Sequence, residues 1–86
     1  MKNKINIVFV DVYAKMFYTD ELVKKGINYE EGKNLIYDND ISIEYTGFRY
    51  DENRFEIFFE PKKEGWKNNE LDIGVNHVKH IEIYHD

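Results

Sequence analysis

Residues 41–61, ISIEYTGFRYDENRFEIFFEP, constrain the fold of this chain more than any other stretch. The polar residues 51–54 separate two runs rich in aromatic and β-branched side chains, which is the pattern of a β-hairpin with a short loop. Side chains alternate along a strand, so one register gathers the apolar side chains on one face. The pairs in this register are Tyr50–Phe55, Phe48–Ile57 and Thr46–Phe59. The other face then pairs Arg49 with Glu56, two opposite charges, and a shift by one residue would place the aromatic rings in water.

The first strand of this hairpin changes its apolar parity near Gly47. Apolar side chains up to Tyr45 occupy odd positions, whereas those from Phe48 onward occupy even positions. A β-bulge at Gly47 would make that switch within one long strand. Pro61 ends the second strand, because proline has no N–H to donate to a ladder.

The N-terminal segment predicts a buried strand followed by a helix. Residues 4–13 carry apolar side chains at both parities, which is typical of a central strand covered on both faces. The run is too short to span a bilayer and has no convincing cleavage site for a signal peptide. Thr19 is a candidate cap for a short helix over residues 20–25, with Gly26 just past its end. The alternative is that residues 14–18 extend the strand or begin a longer helix.

The C-terminal segment predicts two more strands joined by a tight turn at residues 76–78. Placing Ile73 opposite Ile81 also brings Leu71 opposite Ile83. Residues 35–37 are expected to form a short edge strand. Together these elements predict one α+β, β-rich domain over residues 1–86: a small antiparallel sheet of five or six strands with one short helix. A small, partly closed β-barrel is the alternative.

Charge and composition narrow the classes of function. The net charge is −5, with 17 acidic and 12 basic residues, which argues against direct binding of nucleic acid and against docking on anionic membranes. The chain has no cysteine, so it has no disulfide or zinc–thiolate site, and it fits a reducing cytoplasm. Its glycines are scattered and form no phosphate-binding loop, and its single serine, Ser42, lies mid-strand. No cofactor is expected.

Two further groups of residues are candidates for chemistry. In the predicted register His80, Glu82 and Asp72 share one face, and an imidazole with two carboxylates can hold a divalent metal. Their spacing matches no metal motif, and a solvated outer face is the favoured explanation for them, so we expect no metal site. Trp66, in the polar loop 62–69, is a candidate stacking platform for a small ligand or a nucleotide.

The outer face of the hairpin is the main candidate for partner binding. The residues concerned are Glu44, Glu56, Phe58 and Glu60. Carboxylates steer the encounter with a basic partner, and an exposed aromatic ring anchors the complex. The alternative is that the helix covers Phe58 and the carboxylates are the ordinary surface of a small domain.

These observations predict a non-enzymatic small acidic binding protein, an inhibitor or adaptor that occupies a basic surface of a protein partner. In size and charge the chain resembles immunity proteins of toxin systems and phage-encoded inhibitors of bacterial defence. Its bias toward Lys, Asn, Ile and Tyr also resembles translation of an AT-rich genome. The resemblance to immunity proteins and phage-encoded inhibitors implies that the partner is a nuclease or another nucleic-acid-handling protein. The alternatives are a protein that binds a small ligand or nucleotide, and a small metal-dependent enzyme.

Overall fold

The computed structural model describes residues 3–32, 39–59 and 70–84. These residues form one α-helix, one short 3-10 helix and seven strands. In chain order the elements are β1 (Lys4–Phe9), α1 (Val12–Lys25), β2 (Glu30–Glu31), β3 (Asp40–Glu44), β4 (Gly47–Tyr50), β5 (Arg54–Phe58), β6 (Glu70–Gly74), the 3-10 helix (Val75–His77) and β7 (Val78–Tyr84).

The strands form two antiparallel sheets rather than one. The larger sheet has the order β2-β3-β1-β7, and the smaller sheet has the order β4-β5-β6. The predicted α+β, β-rich class is confirmed, whereas the single sheet of five or six strands is wrong. Neither sheet closes into a barrel within the described residues, since each ends in two edge strands.

Strand β1 is central, as predicted, and lies between β3 and β7. It ends at Phe9 rather than at residue 13, because Asp11 begins a helix: its side chain accepts a hydrogen bond of 2.8 Å from the Ala14 backbone N–H. The prediction of a short helix over 20–25 capped by Thr19 is therefore wrong, and the alternative of a longer helix is correct. Gly26 does end the helix, in the left-handed conformation with φ 69°.

The predicted hairpin register is confirmed for the pairs Phe48–Ile57, Arg49–Glu56 and Tyr50–Phe55. The Thr46–Phe59 pair is not part of the ladder, because Thr46 is exposed and donates its backbone N–H to the Phe58 carbonyl oxygen at 2.9 Å. The change of apolar parity does not come from a bulge in one strand. The chain leaves the larger sheet after Glu44 and enters the smaller sheet at Gly47, so each half of the run faces the core from its own sheet.

The predicted pairing of the last two strands is wrong. Strand β6 pairs with β5, which sets Ile73 opposite Phe55, and β7 pairs with β1, which sets Ile81 opposite Ile7. The 3-10 helix Val75–His77 carries the chain from one sheet to the other where a hairpin turn was expected. The edge strand predicted at 35–37 lies outside the described residues.

Both sheets and α1 contribute to one hydrophobic core. Its buried members are Ile5, Ile7, Phe9, Tyr18, Leu22, Ile41, Ile43, Tyr45, Phe55, Ile57, Phe59, Leu71 and Ile73. The hydroxyl of Tyr45 is buried there without a hydrogen-bond partner among the described residues, and burial raises the pKa of this phenol.

A buried polar contact joins β1 to β3. The Asn6 side-chain amide donates to the carboxylate of Asp40 at 3.0 Å, and both residues are buried. Gly32 packs against the same carboxylate: a Cβ atom at this position would lie 1.9 Å from Asp40 Cγ. This close approach leaves room for glycine alone.

Candidate functional site

The smaller sheet brings three carboxylates together on the face that points away from the core. On β5, Glu56 alternates with the buried Phe55 and Ile57, so its side chain lies on the opposite face. The β5–β6 register sets Glu56 directly opposite Asp72, and Glu70 lies two residues earlier on the same face of β6. Carboxylate oxygens of these three residues lie within 4.8 Å of one another. We call Glu56, Glu70 and Asp72 the acidic triplet.

Two arginines flank the triplet and offset part of its charge. Arg49, across the hairpin, places Nη2 2.6 Å from Glu56 Oε2, and this hydrogen bond and charge raise the pKa of Arg49. Arg54 Nη1 lies 3.9 Å from Asp72 Oδ2. The side chain of Arg49 is 71% exposed and that of Glu56 only 17%, so the carboxylate lies beneath a solvated guanidinium. Like charges directly opposite across two strands cost stability, and the two arginines reduce this cost. A third cation is close by, because Lys25 Nζ donates to the backbone carbonyl oxygen of Glu70.

Phe58 lies next to the triplet, two residues after Glu56 on the same face of β5. Its ring is half-buried, and the Arg49 guanidinium carbon lies 6.0 Å from the ring centroid, at the limit of a cation–π contact. Helix α1 packs Tyr18 and Leu22 into the core, which lies on the other side of β5. Phe58 is not among the residues that pack against this core, which favours the outer face for its ring, beside the acidic triplet, over cover by the helix.

Of the other residues predicted to bind a partner or a ligand, the structure describes only Glu44. Glu44 is exposed but belongs to the larger sheet, where it pairs with Lys4. Glu60 and Trp66 lie outside the described residues. Of the sequence-predicted set, only Glu56 and Phe58 share a surface in the described structure.

His80, Glu82 and Asp72 were predicted to share one face, but they lie in two different sheets. His80 and Glu82 are together on β7, with His80 Nε2 3.1 Å from Glu82 Oε1. The hydroxyl of Tyr84 donates to Glu82, and this bond raises the pKa of Tyr84. The hydrogen bonds from Tyr84 and His80 lower the pKa of Glu82. Asp72 lies in the other sheet, so the pairing that would have set it opposite Glu82 is wrong.

Sequence reasoning missed the role of Glu70 and Asp72 in the triplet. The alternation of these two carboxylates with Leu71 and Ile73 does place them on the solvent face of a strand. That pattern does not say which strand is the neighbour. Among the described residues the triplet is the one group of three acidic or histidine side chains close enough to share a cation. Such a cation is either a hard divalent ion or the ammonium or guanidinium group of a partner.

A second surface is formed by the outer side of α1. The exposed residues of the helix are Val12, Tyr13, Met16, Phe17, Asp20, Val23 and Lys24. At 3.6 residues per turn they fall within one arc of about 140°, and we call them the helix patch. Most of them are apolar, which is unusual for the solvent side of a helix. Beside the patch an open groove of about 330 Å³ is lined by Val10, Tyr13, Phe17 and His77.

The floor of this groove is fixed by hydrogen bonds of the buried Tyr18. Its hydroxyl lies 2.7 Å from His77 Nδ1 and accepts the backbone N–H of Gly74 at 3.2 Å. Since Gly74 donates to the oxygen, the Tyr18 hydroxyl proton is available for the imidazole nitrogen. These bonds join α1 to the segment that connects the two sheets.

Comparison of the chain with family models, with curated proteins and with solved structures gives no match. The acidic triplet and the helix patch are therefore the two surfaces from which a function is inferred. In the ranges that the structure describes, no helix combines the length and the apolar character needed to cross a membrane.

Proposed function

We propose that this protein is a non-enzymatic binding protein that docks a basic protein partner on the outer face of its smaller sheet. The observation that carries the proposal is the convergence of three carboxylates within 4.8 Å beside the half-buried ring of Phe58. Carboxylates held this close repel one another, and a lysine or arginine of a partner relieves that repulsion when it binds. Proteins keep such locally unfavourable arrangements mainly where function needs them.

The chemistry of this face suits a lysine-rich or arginine-rich surface. The net charge of −5 attracts such a partner over a distance, and the acidic triplet then supplies short charge-assisted hydrogen bonds. Phe58 offers an apolar contact that excludes water beside them. Nucleases and other nucleic-acid-handling proteins carry basic surfaces that bind phosphates. Occupation of such a surface would inhibit them, in the reducing cytoplasm that a chain without cysteine suits.

The test begins with capture of a partner from a lysate and continues with binding kinetics at two salt concentrations. Wild-type association is expected to slow at the higher salt concentration. The double variant Glu56→Gln/Asp72→Asn is expected to associate roughly three- to tenfold more slowly at low salt, because long-range attraction governs the association rate. Glu30→Gln/Glu31→Gln is the matched control: it makes the same change in net charge on β2, an edge strand of the other sheet. Its association rate is expected to stay closer to that of the wild type.

Phe58→Ala is expected to act on dissociation instead. Loss of an interfacial ring typically costs about 2 kcal/mol, which is roughly a thirtyfold shorter lifetime of the complex. Association that responds neither to salt nor to the Glu56/Asp72 variant would contradict the proposal. It would also be contradicted if calorimetry showed tight calcium binding that this variant abolishes and if capture of the partner required calcium. The triplet would then be a metal site.

A further inference from the structure

Helix α1 leaves its more apolar side without cover in the described structure. The helix buries only Tyr18 and Leu22, whereas Tyr13 is 78% exposed and Phe17 is 58% exposed. At about 200 Å² for a large aromatic side chain, these two exposed fractions alone correspond to about 270 Å². The exposed side chains of Val12, Met16 and Val23 enlarge the same surface. The largest apolar patch on a monomeric protein, a few hundred Å² in area, is often functional.

We propose that the helix patch is a homodimer interface, in which α1 of one copy packs antiparallel against α1 of a second copy. The patch repeats along the helix with the spacing of a coiled-coil seam, at Tyr13, Met16, Asp20 and Val23. In an antiparallel pair in which the two helices meet at the level of residue 18, Tyr13 of one copy lies beside Val23 of the other. Met16 then lies beside Asp20. The same surface meets itself across a twofold axis, so every contact occurs twice.

The charges of the helix patch favour the antiparallel arrangement. Its two charged residues are Asp20 and Lys24, and Lys24, with a side chain 74% exposed, lies 3.9 Å from Glu21 of its own helix. A parallel pair would place Asp20 against Asp20 and Lys24 against Lys24, whereas the antiparallel pair separates both pairs of like charges. Asp11 and Lys25 lie outside the patch, where Asp11 caps its own helix and Lys25 donates to the backbone carbonyl oxygen of Glu70.

The area of the patch suits a dimer of moderate affinity. A standard interface buries about 800 Å² on each partner, and Tyr13 and Phe17 supply about a third of it. Asp20 interrupts the seam and weakens the pair, because it brings a carboxylate close to the partner's Met16. The interface lies on a different element from the acidic triplet, so the dimer and the binding of a basic partner are tested separately.

The experiment is sedimentation equilibrium of the full chain from about 1 µM to about 500 µM. The wild type is expected to shift from 10.4 kDa toward twice that mass as concentration rises. Met16→Asp and Val23→Asp, which alter only exposed positions, are expected to remain monomeric with unchanged far-UV circular dichroism. Asp20→Ala is expected to tighten the dimer. Tyr50→Ser is the matched control, because Tyr50 is 70% exposed on β4, away from the helix, and its loss should leave self-association unchanged.

The orientation has its own test. Lys24→Gln removes a repulsion between two lysines only in a parallel pair, so it is expected to leave the antiparallel dimer within about twofold of the wild type at low salt. A dimer that Lys24→Gln strengthens severalfold would overturn the antiparallel arrangement. A wild type that stays at 10.4 kDa throughout the series would overturn the dimer and leave the patch to a different protein. A dimer that Tyr50→Ser disrupts and Met16→Asp does not would place the interface elsewhere.

Discussion

Two adjacent phenylalanines, Phe58 and Phe59, are expected to differ sharply in what their removal costs. Phe59 is a core residue with 5% of its surface exposed, whereas Phe58 is half-buried on the opposite side of the chain. Truncation of a buried phenylalanine to alanine costs about 3–5 kcal/mol, since burial free energy is lost and a cavity remains. Truncation of the half-buried ring should cost about 1 kcal/mol.

These magnitudes are large against the stability of the whole protein. A chain of 86 residues has a free energy of unfolding of about 4–13 kcal/mol, so Phe59→Ala should remove at least about a fifth of it. The midpoint of thermal unfolding should fall by more than about 12 °C for Phe59→Ala and by roughly 4–8 °C for Phe58→Ala. If Phe59→Ala does not fold, Phe59→Leu is the milder variant, with an expected loss of roughly 1–2 kcal/mol.

The measurement is urea denaturation of each variant, followed by far-UV circular dichroism, with the slope of the transition fitted separately. An unchanged slope shows that the variant alters stability rather than the denatured ensemble. Equal losses for the two variants, or a larger loss for Phe58→Ala, would refute the assignment of faces along β5. The acidic triplet would then no longer lie on the outer face, and the proposed function would fail with it.

Three further predictions concern turns and buried polar groups. Gly32→Ala should lose roughly 1–3 kcal/mol in urea melts, because its Cβ would collide with Asp40, whereas Gly47→Ala, 3.9 Å from its nearest neighbour, should be tolerated. Two backbone N–H groups of the hairpin turn lower the pKa of Asp51, so its charge stabilises the fold above the ordinary aspartate range. The advantage of the wild type over Asp51→Asn should therefore shrink as pH falls below about 4. Burial raises the pKa of Tyr45, so stability should fall above about pH 10, and Tyr45→Phe should remove that fall at little cost at pH 7.

The hairpin register was predictable because its determinants are close together in sequence. The polar turn fixes the pairing, and alternation then assigns Phe48 and Ile57 to one face and Arg49 and Glu56 to the other. The neighbouring strand pairings were not predictable in the same way. Placing β6 against β7 or against β5 sets apolar side chains opposite one another equally well, and only the packing of the whole chain decides between them.

The sequence pattern did not predict the full length of helix α1, because the solvent-facing side of this helix is apolar. Residues 12–18 are apolar on the solvent face as well as on the core face, so the periodicity of an amphipathic helix is absent. Valine and tyrosine also favour strands, which made a long first strand the natural prediction. The signal that identifies the helix is the Asp11 cap. The same apolar outer face that obscured the helix is the observation behind the proposed dimer.

The central position of β1 has a consequence for the order in which the chain can fold. Ile7 pairs with Ile41 on one side and with Ile81 on the other, so its second partner follows 74 residues later in the chain. During synthesis β1 therefore emerges early and keeps one unpaired, strongly apolar edge until β7 has been made. Such an edge invites pairing with strands of other chains. Nascent or truncated chains that lack residues 78–84 should consequently depend on chaperones, because this edge of β1 stays unpaired in them.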